Sequence, residues 1–481
     1  MKELKIGLAG SMQSNFAGGA GGGKERIYEQ SARKIKELAG RFGCGCFVYP
    51  ELLVTGEDAA KAREAFEREG VDFALLQITT FSAGAVVLEF AKTDAALGLW
   101  ALPEQSMKGS IFLNSLNSFC GLNMFSSIII NYLKGIKHKW FYGDPDDEMF
   151  IRRLEVTARA LTAVKNLKTS KLALVGGIAP GFNDLYFDER LGQERLGIKI
   201  ERGHEFSEIQ GRAEAYTGAE IERYLEGSAS ARFDMGKASK ENRDAHARYY
   251  KAYMDFAGEY GYDALAVSCW PQMATASSAY SCSIVSKLNQ DGVVAACEGD
   301  LPGAASMLLQ KYIIKAPVTL MDLSGIDESD QTILMWHCGP TPECYADDAG
   351  ACLEYCRQPI PGSEEENVTG MITDMVFRPQ AVTFVRITGE WDGIFLLDGK
   401  TAGRQKDSPQ GSRGWVEALR LGRKDVSVRD LMNTILVQGM QHHYAMAAGD
   451  ITEELMEAAA WLGLKPVETV RYENYLQLRD W

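Results

Sequence analysis

Short apolar runs and amphipathic stretches alternate along the first two thirds of the chain. The first third reads LKIGLAG, a helical stretch GKERIYEQSARKIKELAG, then CFVYPEL and a second helical stretch. Apolar runs of about 4–8 residues between turn residues are typical of buried strands. Strands that alternate with helices favour a parallel sheet with helices on both faces. A second series of this kind begins near residue 165 with KLALVGG, so the pattern predicts two such domains.

The pattern changes from about residue 325. The segment MITDMVFRPQAVTFVRITGEWDGIFLLDGK has strand-like runs, a GEWDG turn and little helical periodicity, which indicates an antiparallel sheet or a small barrel. We therefore predict an α/β protein with two doubly wound parallel-sheet domains followed by a β-rich, barrel-like C-terminal domain. We place the three domains at residues 1–165, 166–322 and 323–481.

Candidate chemistry concentrates between Val293 and His337. Three apolar runs in this stretch, VVAAC, APVTLM and QTILMW, end at or next to Glu298, Asp322 and His337. Ligands of open α/β sheets bind outside the carboxyl ends of the strands. Two carboxylates and an imidazole at three such ends predict a site, although any one of them alone could be a cap or a member of an ion pair.

Two further histidines, His442 and His443, lie just before the last predicted helix. Carboxylates and imidazoles with positions left for water suit a divalent ion such as Mn²⁺ or Mg²⁺. Such an ion can hold two adjacent sugar oxygens and polarise a carbonyl, while a nearby carboxylate moves a proton. Because neighbouring residues on a strand point to opposite faces, we expect at most one of His442 and His443 to be a ligand.

Several polar or aromatic residues lie where a substrate would be contacted. Gln13 follows the first strand, Asn117 precedes an apolar helix, and Trp270 and Gln272 follow a later strand. We predict these four, with His337, as substrate contacts. The alternatives are that Gln13 is an ordinary loop residue, that Asn117 caps the helix, and that His337 serves as a ligand or supports one.

Composition narrows the classes of partner. The chain has a formal net charge of −14, with 46% hydrophobic and 24% charged residues. The composition is ordinary for a soluble globular protein. The negative net charge argues against nucleic acid as a partner, because binding to its phosphates needs a basic surface. The N-terminal segment lacks the pattern of a signal peptide and no apolar run is long enough to span a bilayer. We therefore expect a cytoplasmic location and no membrane partner.

In these motifs the chain resembles the superfamily of L-fucose isomerase and L-arabinose isomerase, which are metal-dependent aldose–ketose isomerases. The fucose branch has a metal-binding glutamate in E-x-D-x-x-G-x-x-x-M, and the similar segment here is EGDLPGAASM from Glu298. The branch's aspartate follows 24 positions later, as Asp322 does. Its final histidine lies in H-x-x-x-x-x-G, which HYAMAAG from His443 matches. HCG at His337 resembles an H-x-G segment of the arabinose branch.

The resemblance also has departures that bear on the substrate. The arabinose branch has a histidine near the position of Asn117 that reaches a neighbouring subunit's site, and this chain has none there. That branch also uses glutamate where this chain has Asp322. These departures argue against L-arabinose, and the chain is shorter than a typical L-fucose isomerase.

The resemblance implies an aldose–ketose isomerase that works through a cis-enediol intermediate. Glu298 and Asp322 would hold Mn²⁺, or another divalent cation such as Mg²⁺ or Co²⁺, and would act as the proton-transfer pair. His443 and His337 would complete the ligand set. The substrate would be an aldose like L-fucose or L-arabinose, or a modified hexose such as sulfoquinovose, a sulfonated glucose. Members of the superfamily are homo-oligomers, commonly hexamers, with sites at subunit interfaces.

Two other functions remain compatible with the same residues. One is a metal-dependent hydrolase or lyase that uses the same ligands. The other is a non-catalytic cytoplasmic sugar-binding protein, because two α/β domains can form a cleft for a sugar.

Overall fold

The computed structural model of the protein describes most of the chain in two units. The described residues are 1–16, 23–104, 108–228, 233–269, 273, 281–359, 366–403 and 406–479. Contacts within the chain separate a first unit, residues 1–165, from a second unit, residues 166–481. The predicted division of the second unit at residue 322 stays a prediction.

A five-stranded parallel sheet with the order β2-β1-β3-β4-β5 organises the first unit. This order is one of the common doubly wound arrangements. Its strands are β1 Lys5–Ser11, β2 Gly45–Leu53, β3 Phe73–Ile78, β4 Ala96–Ala101 and β5 His138–Tyr142. Its helices are α1 Gly23–Phe42, α2 Gly56–Glu69, α3 Gly84–Phe90, α4 Ile111–Asn114, α5 Ser118–Tyr132 and α6 Glu148–Leu167.

The second unit begins with a parallel sheet of four strands in the order β10-β9-β6-β7. These strands are β6 Lys171–Val175, β7 Lys199–His204, β9 Ala264–Val267 and β10 Val294–Cys297. The helices of this part are α7 Glu189–Leu196, α8 Phe206–Ala215, α9 Gly218–Ser228, α10 Lys240–Tyr260, α11 Ser281–Gln290 and α12 Leu301–Ile314. A short strand, β8 Phe233–Asp234, joins the other sheet of the unit.

That other sheet closes into an antiparallel barrel. The barrel strands follow the order β16-β15-β19-β11-β12-β17, and β17 pairs with β16 to close the barrel. These strands are β11 Thr319–Asp327, β12 Thr332–His337, β15 Ala381–Ile387, β16 Gly393–Thr401, β17 Ser412–Leu421 and β19 His443–Ala448. The attached elements are β13 Ala351–Pro359, β14 Glu366–Val376, β18 Lys424–Asp425, β20 Lys465–Pro466, α13 Val428–Gln438 and α14 Thr452–Leu462. Two parallel sheets and a closed antiparallel barrel confirm the predicted fold class.

Helix α12 packs between the parallel sheet and the barrel of the second unit. It contacts β9 and β10 on one side and β15 and β19 on the other. Its sequence LPGAASMLLQKYII is apolar around nearly the whole circumference, and most of its residues are buried. A helix that is apolar on all sides belongs in an interior, so α12 holds the two sheets of this unit together.

The register of the barrel strands decides which residues lie next to one another near the N-terminus of α12. Asp322 in β11 pairs with His443 in β19 on one side and with Trp336 in β12 on the other. His337 is the next residue along β12. Paired residues of antiparallel strands lie about 4.5–5.5 Å apart, so the ladder places Asp322 beside His443. No helix in the described part of the chain is long and apolar enough to cross a membrane.

The closure of the barrel generates a test at Gly399, where the β16–β17 register shifts. A Cβ there would lie 2.7 Å from Val416 Cγ1 and 2.8 Å from the Glu417 carbonyl oxygen. Gly399→Ala should therefore lower the free energy of unfolding by about 1–3 kcal/mol, measured by urea denaturation.

The matched control is Gly211→Ala in α8, where a Cβ would meet no described atom within 4 Å. Alanine in a helix interior is favoured over glycine by roughly 0.5–1 kcal/mol, so this variant should be unchanged or more stable. Equal losses of unfolding free energy in both variants would contradict the close approach of β16 and β17 at Gly399.

Candidate metal centre

Three side chains with free lone pairs converge at the edge of the barrel in the second unit. His443 Nε2 lies 3.3 Å from Glu298 Oε2 and 3.4 Å from Asp322 Oδ1. Each of these three atoms is buried and has no hydrogen-bond partner among the described residues. Buried polar atoms are normally satisfied, so this arrangement favours a positive charge between them, either a proton on His443 Nε2 or a bound cation.

The turn that presents Glu298 has an uncommon backbone. Glu298 follows β10 with φ 63°, and Gly299 follows with φ 75°. A Cβ on Gly299 would lie 2.3 Å from the Gly177 carbonyl oxygen. A non-glycine residue in the left-handed region costs on the order of 1–3 kcal/mol and is concentrated at functional sites. The tight turn places the Glu298 carboxylate at the carboxyl edge of the parallel sheet.

Asp300 is the buried anchor of the site. It is the N-cap of α12, and its Oδ1 accepts a hydrogen bond from the Gly303 N–H at 2.9 Å. Its Oδ2 accepts from His443 Nδ1 at 3.0 Å and pairs with Arg386 Nη1 of β15. Both side chains of the Arg386–Asp300 pair are fully buried. One carboxylate therefore joins the start of α12 to strands β15 and β19.

Asp300 also decides the tautomer of His443. Because the carboxylate accepts from Nδ1, the neutral imidazole keeps its lone pair on Nε2, which faces Glu298 and Asp322. Histidines that ligate metals commonly donate the other ring nitrogen to a carboxylate in this way. His443 therefore has the orientation of a metal ligand.

The electrostatic field of the site favours a cation. Burial alone would lower the pKa of His443, but the carboxylates of Asp300, Glu298 and Asp322 outweigh burial and raise this pKa to about 10. Burial alone would raise the pKa of Glu298, but the neighbouring imidazoles of His442 and His443 hold it well below its usual range. The atoms around His443 Nε2 thus stabilise a positive charge, which a divalent metal ion would supply.

The donor set fits a metal ion, and the geometry offers two overlapping groups. Glu298, His442 and His443 form one group, and Asp322, His337 and His443 form the other, each with its donor atoms within 4.8 Å of one another. His443 is common to both groups. Oxygen and imidazole donors without thiolates suit Mn²⁺ or Mg²⁺ better than a structural zinc.

His442 behaves differently from the sequence expectation. The strand begins only at His443, so the alternation of faces does not govern His442. Its Nε2 lies 3.5 Å from Glu298 Oε2, and its ring centroid is 4.1 Å from that of His443. The alternation argument therefore does not apply, because His442 belongs to the loop before β19. The expectation that at most one of the two histidines is a ligand stays a prediction.

Asp184 orients His442 and was missed by the sequence reading. Its Oδ2 accepts from His442 Nδ1 at 2.6 Å and from the His442 backbone N–H at 3.1 Å. Asp184 lies in a short 3₁₀ helix, Asn183–Leu185, 258 positions before His442. No local pattern marks such a distant pair. Asp300, by contrast, stands inside the EGD segment and could have been assigned a role from it.

His337 lies at the end of β12 and is buried. Its ring stacks on that of His443 with centroids 5.3 Å apart. Burial lowers the pKa of His337, which favours the neutral ring. Its Nε2 has no hydrogen-bond partner among the described residues.

The other four predicted contacts, Gln13, Asn117, Trp270 and Gln272, stay predictions. Gln13 follows β1, and its backbone N–H donates to Thr80 Oγ1 at 3.1 Å. Asn117 precedes α5 with φ 49°, and its side chain makes no capping hydrogen bond. Both belong to the first unit, and their contact with substrate stays a prediction. Trp270 and Gln272 lie outside the described residues.

Comparison with curated proteins finds sulfoquinovose isomerases. The chain is 27% identical to that of Priestia aryabhattai over 448 residues, which is 91% of this chain and 94% of the relative. It is 29% identical to that of a Clostridium species (strain MSTE9) over 374 residues, 76% and 79% of the two chains. A third, from Alkalicoccus urumqiensis, is 25% identical over 87% of this chain and 91% of its own. No family model matches the chain.

Solved structures show only a distant likeness. A sugar transport substrate-binding protein from Bordetella parapertussis is 13% identical with a TM-score of 0.16, covering 68% of this chain and 84% of its own. A solute-binding protein from Agrobacterium vitis with bound α-D-tagatopyranose is 12% identical with a TM-score of 0.17, covering 65% and 87%. At these TM-scores the likeness carries no argument about this chain.

The buried pair of Arg386 and Asp300 generates a stability test. Arg386→Met leaves Asp300 without its buried cation, and breaking such a pair costs about 3–5 kcal/mol. The free energy of unfolding, measured in the metal-free protein by denaturant titration, should fall by this amount. Arg429→Met, which removes the exposed partner of Glu328, is the control and should change stability by less than about 1 kcal/mol. If Arg386→Met lowers the free energy of unfolding no more than Arg429→Met does, the buried Asp300 carboxylate does not need Arg386 for its stability.

Proposed function

We propose that this protein is a metal-dependent aldose–ketose isomerase that acts on a modified hexose, with sulfoquinovose as the leading candidate substrate. The observation that carries the proposal is the convergence of Glu298 and Asp322 on the Nε2 of a carboxylate-oriented His443. The similarity to curated sulfoquinovose isomerases over most of the chain supports the class of reaction and of substrate. The resemblance to the fucose branch, carried by the segments around Glu298, Asp322 and His443, supports the same roles for these residues.

Glu298, Asp322 and His443 would hold the ion, with Mn²⁺ as the first candidate and Mg²⁺ or Co²⁺ as others. When bound, the ion would act as a Lewis acid that polarises the carbonyl of the sugar. Asp300 keeps the lone pair of His443 directed at the site, and Arg386 compensates the buried charge of Asp300. The turn at Glu298 holds its carboxylate against the imidazoles.

Isomerisation requires a proton to move between two neighbouring carbons of the sugar. Glu298 and Asp322 approach His443 Nε2 as separate carboxylates, so either can take the proton from one carbon and return it to the next. A cis-enediol would be the intermediate. Asp184 holds His442 with Nε2 toward Glu298, and this pair would assist proton movement at the substrate oxygens.

The wider features of the resemblance are also proposals. The protein would be a homo-oligomer, commonly a hexamer in the superfamily, with its sites at subunit interfaces. The segment around Asn117 would then serve a neighbouring subunit. A cytoplasmic location is likewise proposed. Light scattering of the purified protein measures the assembly directly, and a monomer at working concentration would argue against the shared site.

The substrate is tested by incubating the metal-loaded protein with sulfoquinovose, L-fucose, L-arabinose and D-glucose. Conversion of sulfoquinovose to its ketose, followed by NMR, is the expected result, with slower or no conversion of the unsulfonated sugars. Cleavage products instead of a ketose would favour a hydrolase or lyase. Tight binding measured by calorimetry without any turnover would favour a sugar-binding protein.

Glu298→Gln should lower kcat by at least about 100-fold, because the amide cannot accept the proton that a general base takes. The control is Glu328→Gln, which makes the same chemical change at a surface ion pair and should leave kcat unchanged. Metal content by elemental analysis accompanies both variants. Turnover near the wild-type rate in Glu298→Gln would remove this residue from the mechanism.

Asp184→Asn should lower kcat by about 10–100-fold, which is the usual effect of losing a carboxylate that orients a functional histidine. The melting temperature should change little, because the contact is at the edge of the site and His442 is about one third exposed. Asp255→Asn, a surface carboxylate of α10 that pairs with Lys251, is the control. Equal kinetics of the two variants would show that the Asp184–His442 pair is dispensable.

A further inference from the structure

We propose that His337 is a hydrogen-bond donor to the sugar and not a ligand of the metal ion. This inference rests on the proposed function, because it assigns a role within the same site. It departs from the resemblance to the arabinose branch, which would make His337 a ligand.

The hydrogen bond to the other ring nitrogen carries the argument. The backbone N–H of Cys338 donates to His337 Nδ1 at 2.8 Å. A peptide nitrogen can only donate, so Nδ1 must be the unprotonated nitrogen of this ring. The Cys338 thiol, with Sγ at 3.1 Å from the same Nδ1, is a second group that can donate to it.

The proton of the neutral ring is therefore on Nε2. This atom is buried and has no hydrogen-bond partner among the described residues. His337 also belongs to the group of possible ligands that includes Asp322 and His443. A protonated ring nitrogen has no lone pair to offer a metal ion, but it can donate to an oxygen. An unpaired buried donor is costly, and a sugar oxygen held near the ion would satisfy it.

His443 has the opposite arrangement in the same site. Its Nδ1 lies against a carboxylate, which only accepts, so Nδ1 is the protonated nitrogen. In the neutral ring, which is the form that binds a metal ion, the lone pair is therefore on Nε2. The two rings stack with centroids 5.3 Å apart and an interplanar angle of 22°. Two neighbouring imidazoles thus have different partners at Nδ1, and this assigns His443 to the metal ion and His337 to the substrate.

The first arm of the test measures metal affinity without any turnover. The metal-free wild type, His337→Gln, His337→Asn and His443→Gln are titrated with Mn²⁺ by calorimetry, after their melting temperatures establish that each is folded. Both His337 variants should bind Mn²⁺ within about threefold of the wild type. His443→Gln, which loses a ligand, should bind at least about tenfold more weakly.

The second arm measures the sugar. His337→Asn should lose about tenfold in kcat/KM, which corresponds to one hydrogen bond. His337→Gln should recover part of this loss, because its amide nitrogen can reach further toward the position of Nε2. If His337 had only a structural role, kcat/KM would not depend on how far the amide nitrogen at position 337 reaches.

Loss of Mn²⁺ affinity in the His337 variants as large as in His443→Gln would overturn the proposal and make His337 a ligand. Unchanged kcat/KM in both His337 variants would overturn the role toward the sugar. If the wild type turns over no aldose, the proposed function fails on its own. The Mn²⁺ titration then still decides whether His337 is a ligand, and calorimetry with sulfoquinovose decides whether it contacts the sugar.

Discussion

The buried carboxylate of Asp300 is the interaction on which the candidate site depends. It caps the N-terminus of α12, pairs with Arg386 from β15 and accepts from His443 in β19. A buried charge is tolerated only when it is paired and hydrogen-bonded, and each partner of Asp300 comes from a different element. The central helix and two barrel strands are therefore tied together at the atom that also orients His443.

The partners of the three imidazoles give them different chemistry. His443 is held by Asp300 and His442 by Asp184, so both rings direct a lone pair, or a shared proton, toward Glu298. His337 is held by a peptide N–H, which leaves its proton toward the site. In the proposed site, three identical side chains would thus act as ligand, proton relay and hydrogen-bond donor, according to the group at Nδ1. These hydrogen-bond partners at Nδ1 distinguish a functional site from a chance cluster of polar residues.

The two sheets of the second unit contribute different parts of the site. The parallel sheet supplies Glu298 on a strained turn after β10, whereas Asp322, His337 and His443 come from three adjacent barrel strands. Strand pairing in the barrel sets Asp322 opposite His443. Helix α12, which contacts β10 as well as β15 and β19, sets the position of Glu298 relative to the barrel. Rigid elements on both sides suit a reaction in which oxygens and a proton must be held within a fraction of an ångström.

Local pattern was enough to predict the fold class, because apolar runs mark buried strands. It also selected Glu298, Asp322, His337 and His443, because polar residues at strand ends mark ligand edges, and their roles stay predictions. The EGD and HYAMAAG segments added the class of reaction by resemblance. Tertiary structure alone decided that Asp184 contacts His442 and that Arg386 pairs with Asp300. It also decided that His442 lies in the loop before β19, where the alternation of strand side chains does not apply. It also decided which nitrogen each imidazole offers. These features depend on contacts between residues up to 258 positions apart, and hydrogen-bond partners at such separations leave no periodicity in the sequence.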